Sequence, residues 1–164
     1  MGNIIVHPLA PVYTPTSKVL ILGTMPSPRS RASGFYYGHP QNRFWRVLAA
    51  VFQQPLPSTN EKKIQFLLRN HLALWDVLHT CEIRGAEDAS IRNPMPNNIA
   101  TILHKTEIGT VFTTGKKAYA LYQRLVFPKT HLAAYALPST SPANCRMSFN
   151  ELIHAYQPIY DAAR

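Results

Sequence analysis

The chain has 164 residues, 46% of them hydrophobic and only 15% charged, which is enough for one globular core and too apolar for a disordered chain. No apolar run reaches the ~20 residues of a membrane span, and two cysteines, Cys81 and Cys145, exclude a disulfide framework or a four-cysteine metal site and read as reduced thiols. Seventeen Lys and Arg against eight Asp and Glu give a formal net charge of +9, an excess that favours a polyanionic partner, nucleic acid first.

Residues 1–17 carry Pro8, Pro11 and Pro15 and no hydrophobic period, so they form an extended lead-in. They lack a basic stretch followed by an apolar core, so no signal peptide is expected. KVLILGT (Lys18 to Thr24) is a short apolar run bounded by turn residues, a buried strand. MPSPRSRASGFYYGHPQ follows as a long loop. In NRFWRVLAAVFQQ, residues Phe44, Val47, Leu48 and Val51 recur at helical spacing, which places Asn42 near the N-cap of a helix. EKKIQFLLRNH is a second helix and LALWDVL (Leu72 to Leu78) a second buried strand. HTCEIRGAEDASIRNPMPN reads as another long loop, closed by an Asn97/Asn98 cap before the helix IATILHK. IGTVFTTG is a third strand, KKAYALYQRLV the helix after it, HLAAYALP a fourth strand and STSPANCRM a loop. SFNE (Ser148 to Glu151) matches a capping box that opens the last helix, which Pro158 is expected to kink or end.

Strands alternating with helices predict an α/β fold: one domain over 1–164, built as a three-layer α/β/α sandwich on a four-stranded parallel sheet. Function in such folds sits at the carboxyl ends of the strands. Those ends are LGTMPSP, WDVLHTC, TTGKK and LPSTSPAN, and the long loops fall on the same edge. One cleft is therefore expected, rimmed by Arg29, Arg31, Arg43, Arg46, Lys116, Lys117 and Arg146.

Several chemistries fit the cleft poorly. The seven histidines show no HxH or HxxxH spacing, so no metal is expected. TTGKKAY is not a phosphate loop, because Thr110 stands where that motif needs Gly and no Ser or Thr follows the Lys pair. Gly115 is then a turn into a helix whose start, with Lys116 and Lys117, can hold a phosphate of DNA or of a nucleotide. Ser27, Ser139 and Ser141 lie on cleft loops, but none sits in a GxSxG elbow. What remains is a pocket for a planar, uncharged ring. Phe35, Tyr36 and Tyr37 offer faces for stacking, and three adjacent rings cannot all face the core. Asn42, Asp76 and Ser139 offer directional hydrogen bonds, and the basic rim offers phosphate contacts. These are the parts needed to hold a base flipped out of duplex DNA.

The segments ILGTMPSP and GFYYGHPQNRFW, followed much later by LPSTSPAN, resemble the uracil-DNA glycosylase superfamily, and within it the hypoxanthine-DNA (deoxyinosine) glycosylase branch. The resemblance runs from about Val19 to Ala155. It implies a uracil-DNA glycosylase-like sandwich and a monofunctional enzyme that hydrolyses the N-glycosidic bond of a deaminated base, hypoxanthine before uracil, leaving an abasic site. It implies no cofactor, a monomer, DNA carrying a deaminated base as partner, no membrane, and a cytoplasmic, nucleoid-associated place in a bacterial or archaeal cell. Many members end the first strand with an Asp or Asn that positions water; here that place holds Met25. In the hypoxanthine branch the catalytic Asn lies in the segment ending NRFW, which matches Asn42, its carbonyl oxygen holding the water. Tyr37 aligns with the ring that stacks on the base, with Phe35 the second choice. Asp76 falls near the position that reads the base's pairing edge, and backbone N–H groups from Gly23 through Thr24 to Met25 receive the charge developing on the base. Ser139 takes the first place of the second motif, Ala143 the place of its bulky wedge, and Arg146 is the candidate to plug the vacated stack. Ser27, Arg29, Arg43, Lys116, Lys117, Ser141, Asn144 and Arg146 are the expected DNA contacts. The alternatives are a uracil glycosylase of broader range and a non-catalytic binder of nucleic acid on the same cleft.

Overall fold

The computed structural model describes residues 3–164; Met1 and Gly2, the start of the expected lead-in, lie outside the described residues. Four strands form the expected parallel sheet: β2 (Val19–Gly23), β3 (Leu72–Asp76), β6 (Thr110–Thr114) and β7 (Ala134–Leu137), in the order β3-β2-β6-β7. The two strands β2 and β3 are covered on both faces, which is why they read as apolar runs, whereas the edge strand β7 leaves Tyr135 exposed. Val19 and Ile21 face one side, against α2 (Phe44–Val51), α3 (Asn60–Arg69) and α7 (Phe149–Ala163). Leu20 and Leu22 face the other, against α4 (Ile99–Lys105) and α5 (Lys116–Leu121). From β2 the chain crosses to β3 on one side, and from β6 to β7 on the other. The order of connection therefore reverses between β2 and β6, and the ends of those two strands open the crevice where this architecture binds ligands.

A second sheet was not expected. The lead-in contains β1 (Asn3–Val6); the expected second strand ends at Asp76 and not at Leu78, and the segment from His79, read as a loop, holds the rest of β4 (Leu78–Ile83) and β5 (Arg92–Pro96). These form an antiparallel sheet in the order β1-β4-β5, with Asn3 opposite Ile83 and Val6 opposite Thr80. The pattern hid it for a physical reason. Register shifts between Leu78 and Thr80 and between Thr80 and Glu82 interrupt the pairing of β4 with β5. β5 contains Pro94 and Pro96 and lies at the sheet's edge, the place in a sheet where proline is tolerated. The chain after β1 is tied down: Val12 and Leu74 exchange both backbone hydrogen bonds at 2.9 Å.

Three smaller differences concern helices. The loop after β2 holds a short α1 (Pro28–Ser33), capped by Ser27 and ended by Gly34 at φ 78°. The helix after β6 passes from α5 through a π turn (Tyr122–Val126) into α6 (Phe127–Thr130). Pro158 does not end the last helix, which starts on the expected Ser148/Glu151 capping box and runs through to Ala163. Among the described residues no helix is long and apolar enough to cross a membrane.

Candidate active site

A cavity of about 150 Å³ opens at the ends of β2, β3 and β6. That is smaller than the ~300–1,000 Å³ of a pocket for a drug-sized ligand or cofactor, and suits a single base. Gly23, Thr24 and Met25 line it from β2, Asp76 from β3, Tyr37 and Asn42 from the loop before α2, and Ser139, Thr140 and Ser141 from the loop after β7. Among the described residues no three His, Cys, Asp or Glu side chains cluster as a metal site would need.

Asp76 is 4% exposed, so its carboxylate needs partners to be stable there. His7, arriving on the turn after β1, lies with Nε2 at 2.8 Å from Asp76 Oδ2. The backbone N–H of Leu9 donates to His7 Nδ1 at 3.2 Å, which makes Nε2 the protonated nitrogen and therefore the donor to Asp76. Asn97 adds a second brace, its Nδ2 donating to the carbonyls of Asp76 and Leu78 at 2.9 Å each. Asp76 Oδ1 bonds no protein group among the described residues. It lies over Gly23: a Cβ on that glycine would stand 2.5 Å from Oδ1 and 3.1 Å from the Tyr37 hydroxyl. Glycine at the end of β2 thus keeps open the space into which Asp76 presents a hydrogen-bond acceptor.

The aromatic triplet divides as the sequence required. Phe35 is core, stacked on Trp45 with ring centres 5.9 Å apart, and does not border the cavity; it is not the stacking ring. Tyr36 is 1% exposed and donates from its hydroxyl to Ala10 O at 2.8 Å. Tyr37 borders the cavity. One face of its ring lies on Phe44 at 3.8 Å, and its hydroxyl bonds Thr114 Oγ1 at 2.8 Å. Its backbone adopts φ 54°, a left-handed conformation that a bulky residue rarely holds, so the ring is placed at a local cost. Burial, aided by the nearby Asp76 charge, holds both tyrosine hydroxyls protonated well above the ordinary range.

Asn42 lies in the cavity wall, and its carboxamide is fixed at one end. Oδ1 accepts from the Phe44 N–H at 2.9 Å and from the Thr140 hydroxyl at 2.8 Å. The N-cap of α2 is Arg43; Asn42 stands one residue before it, and its oxygen serves the Phe44 N–H at the start of the helix. The expectation that this oxygen holds a water is corrected, because two protein donors occupy its two lone pairs. Nδ2 bonds no protein group among the described residues and is the polar end left to the cavity.

The loop after β7 is laced to the Asn42–Arg43 corner. The Arg43 N–H donates to Thr140 O at 3.1 Å, and the Arg43 guanidinium donates to Met147 O at 2.6 Å and Asn144 O at 2.8 Å. Arg43, expected at the phosphate rim, braces the loop instead. Asn144, also expected there, donates inward from Nδ2 to Ser139 O at 2.8 Å. Ser139 Oγ accepts from the Ser141 N–H and Ser141 Oγ from the Ala143 N–H, so both hydroxyls stiffen the loop that carries them. Ser27 lines the cavity and caps α1. Arg29, Lys116 and Arg146 are exposed, and Lys117 is half-buried. Lys116 and Lys117 border a second cavity of about 650 Å³ that shares Ser139 and Asp88 with the first. Among the described residues only Arg84 of the Arg and Lys side chains makes an ion pair, with Glu87, so the rim charge stays available.

Sequence reasoning missed Thr114 and Thr140, which line the cavity, the stretch from Ile83 to Asp88 that borders it, and His7, which stands behind Asp76. Thr114 sits at a strand end and Thr140 inside LPSTSPAN, so both stood in segments already marked as cleft. His7 carried no such signal: it is one histidine in a proline-rich stretch, 69 residues from its partner.

A model of the family described as the uracil DNA glycosylase superfamily matches residues 10–158. A hypoxanthine DNA glycosylase of Methanosarcina barkeri is 34% identical over 110 residues, 66% of this chain and 70% of its own. One of Methanosarcina acetivorans is 31% identical over 141 residues, 85% of this chain and 88% of its own. The solution NMR structure of a Methanosarcina acetivorans chain assigned to the uracil DNA glycosylases superimposes with a TM-score of 0.79 at 26% identity, covering 96% of this chain and 99% of that one.

Proposed function

The chain belongs to the uracil DNA glycosylase superfamily and is a DNA glycosylase, a hydrolase of N-glycosyl bonds, and we propose that it flips hypoxanthine out of DNA and releases it to leave an abasic site. The observation that carries this reading is Asp76 Oδ1, an acceptor held at the head of the cavity while His7 binds the other oxygen. Hypoxanthine presents N1–H where adenine presents a lone pair, so a carboxylate there attracts the deaminated base and repels its parent. Uracil also presents a ring N–H, so the acceptor alone does not separate the two. The names of the two Methanosarcina relatives favour hypoxanthine.

In this reading the base lies against Tyr37, whose ring is backed by Phe44 and pinned through Thr114. Water forms a bond to C1′ as the C1′–N9 bond breaks; the bonding pair leaves on the purine, which then takes up a proton. The sugar passes through an oxocarbenium-like state, so placement and charge stabilisation matter more than a strong base. Asn42 is the catalytic side chain, and the backbone from Gly23 to Met25 and Ser139 line the leaving base. Arg29, Lys116, Lys117 and Arg146 hold phosphates. Flipping costs a few kcal/mol, less at a mispaired base, so part of the selectivity lies in the DNA.

Single-turnover release from duplexes carrying one hypoxanthine, uracil or xanthine tests the reading. Wild type releases hypoxanthine fastest, and Asn42→Ala is slower by about a hundredfold or more. Binding at low salt without release from any duplex would make the chain a binder on a glycosylase fold.

A further inference from the structure

We propose that Asn42 serves the reaction as a hydrogen-bond donor to the leaving purine, and that Thr140 is the positioning residue that makes it so. This rests on the glycosylase reading above. The carboxamide has one acceptor oxygen and one donor nitrogen. Its oxygen is held by two donors from different parts of the chain: the Phe44 N–H, two residues on, and the Thr140 hydroxyl, 98 residues on. The Phe44 contact fixes which end is oxygen, since a backbone N–H cannot donate to an NH2 group. Thr140 is 1% exposed and cannot turn its hydroxyl to solvent. The Arg43 N–H bond to Thr140 O holds the two backbones together at this point. The carboxamide is thereby prevented from rotating to offer its oxygen, and the cavity receives only Nδ2–H.

A donor there gains little by binding water, whose oxygen must keep electron density to attack C1′. It gains much on a purine ring nitrogen, because negative charge grows on that ring as C1′–N9 breaks. Such a bond is stronger in the transition state than in the ground state. The same side chain, so oriented, replaces a water-positioning group with a leaving-group stabiliser. This agrees with Met25 at the neighbouring wall, a thioether that contributes no hydrogen-bond donor.

Two variants test the two halves. Thr140→Val removes the hydroxyl and keeps the shape. Single-turnover hypoxanthine release is expected to fall by roughly tenfold to a hundredfold, with Thr140→Ser restoring most of it and the melting temperature of Thr140→Val close to wild type. In ¹⁵N-labelled protein without DNA, the Phe44 amide resonance shifts in Thr140→Val and not in Thr140→Ser. Wild-type release and an unshifted Phe44 amide in Thr140→Val would overturn the positioning role. Asn42→Asp tests the donor. As a carboxylate it cannot donate and repels the leaving purine, so release is expected to be lost at neutral pH and to rise as pH falls and the new carboxyl takes up a proton. Asp76, Asp88, Tyr36 and Tyr37 share its cavity, and His39 and Arg43 flank it. Wild-type profiles over the same range therefore serve as the reference. An Asn42→Asp enzyme active at neutral pH at or above the wild-type rate would refute the donor and restore a water-binding role. A wild type that releases no hypoxanthine fails the substrate reading instead, and the Phe44 resonance still decides the positioning role.

Discussion

Asn42 and Asp76 stand on different walls of one cavity, and the protein treats them alike while asking opposite things of them. Each has one end of a planar head held by a partner far along the chain, Thr140 for Asn42 and His7 for Asp76, and each leaves the other end to the cavity. The outcome differs because the heads differ. Pinning the oxygen of an amide exposes a donor; pinning one oxygen of a carboxylate exposes an acceptor. The supports differ too. Asn42 is held where two loops meet, laced by Arg43, whereas Asp76 is held at a strand end by an antiparallel sheet and by Asn97. In the proposed reading, recognition thus rests on regular structure, and the chemistry on loops that cross-brace one another.

Reversing the polarity of one wall breaks this comparison most sharply. In Asp76→Asn the amide oxygen still accepts from His7 Nε2, which turns the NH2 group toward the base. Hypoxanthine release is expected to fall by about a thousandfold, because donor then faces donor. The hypoxanthine-to-adenine rate ratio, measured on paired duplexes, should fall with it. Equal losses on hypoxanthine and every other base would mean that Asp76 supports the fold and does not read N1–H. Removing the partner and keeping the head gives a smaller effect. His7→Ala leaves the buried carboxylate without its donor and free to rotate, which should slow hypoxanthine release about tenfold. A double variant with Asp76→Asn should lose little more than Asp76→Asn alone. If the two losses add in full, His7 acts independently of Asp76. The smallest effect on chemistry comes from the rim. Replacing Lys116 and Lys117 by Ala should leave single-turnover release at saturating enzyme almost unchanged. The slope of log affinity against log salt should become shallower by about two. An unchanged slope would place the DNA elsewhere.

The parallel sheet was legible because β2 and β3 are buried on both faces and carry apolar runs, and because turn residues mark the ends of all four strands. The cleft followed from strand polarity, and the capping box at Ser148 and the cavity-facing Tyr37 followed from local pattern and from the crowding of three rings. The antiparallel sheet was not legible: the pairing of β4 with β5 shifts register twice, and β5 carries two prolines. His7, and the bond that ties Thr140 to Asn42, were beyond reach for a different reason. A hydrogen bond between residues 69 or 98 positions apart leaves no trace in periodicity or composition. Asn42 shows the limit most clearly. Its place in the site could be read, but which of its two polar atoms faces the cavity depends on a hydroxyl from the other end of the chain.

The lacing of residues 138–147 to the Asn42–Arg43 corner bears on how this loop can be exchanged. It looks like a detachable surface segment, the natural target for grafting from a relative with another preference. Yet its carbonyls at Thr140, Asn144 and Met147 all answer to Arg43, and its Thr140 hydroxyl answers to Asn42. A graft that omits this corner brings in a foreign loop with no anchor and sets the Asn42 amide free to spin. The unit of inheritance is the loop with residues 42 and 43, and homologues should vary these positions in concert.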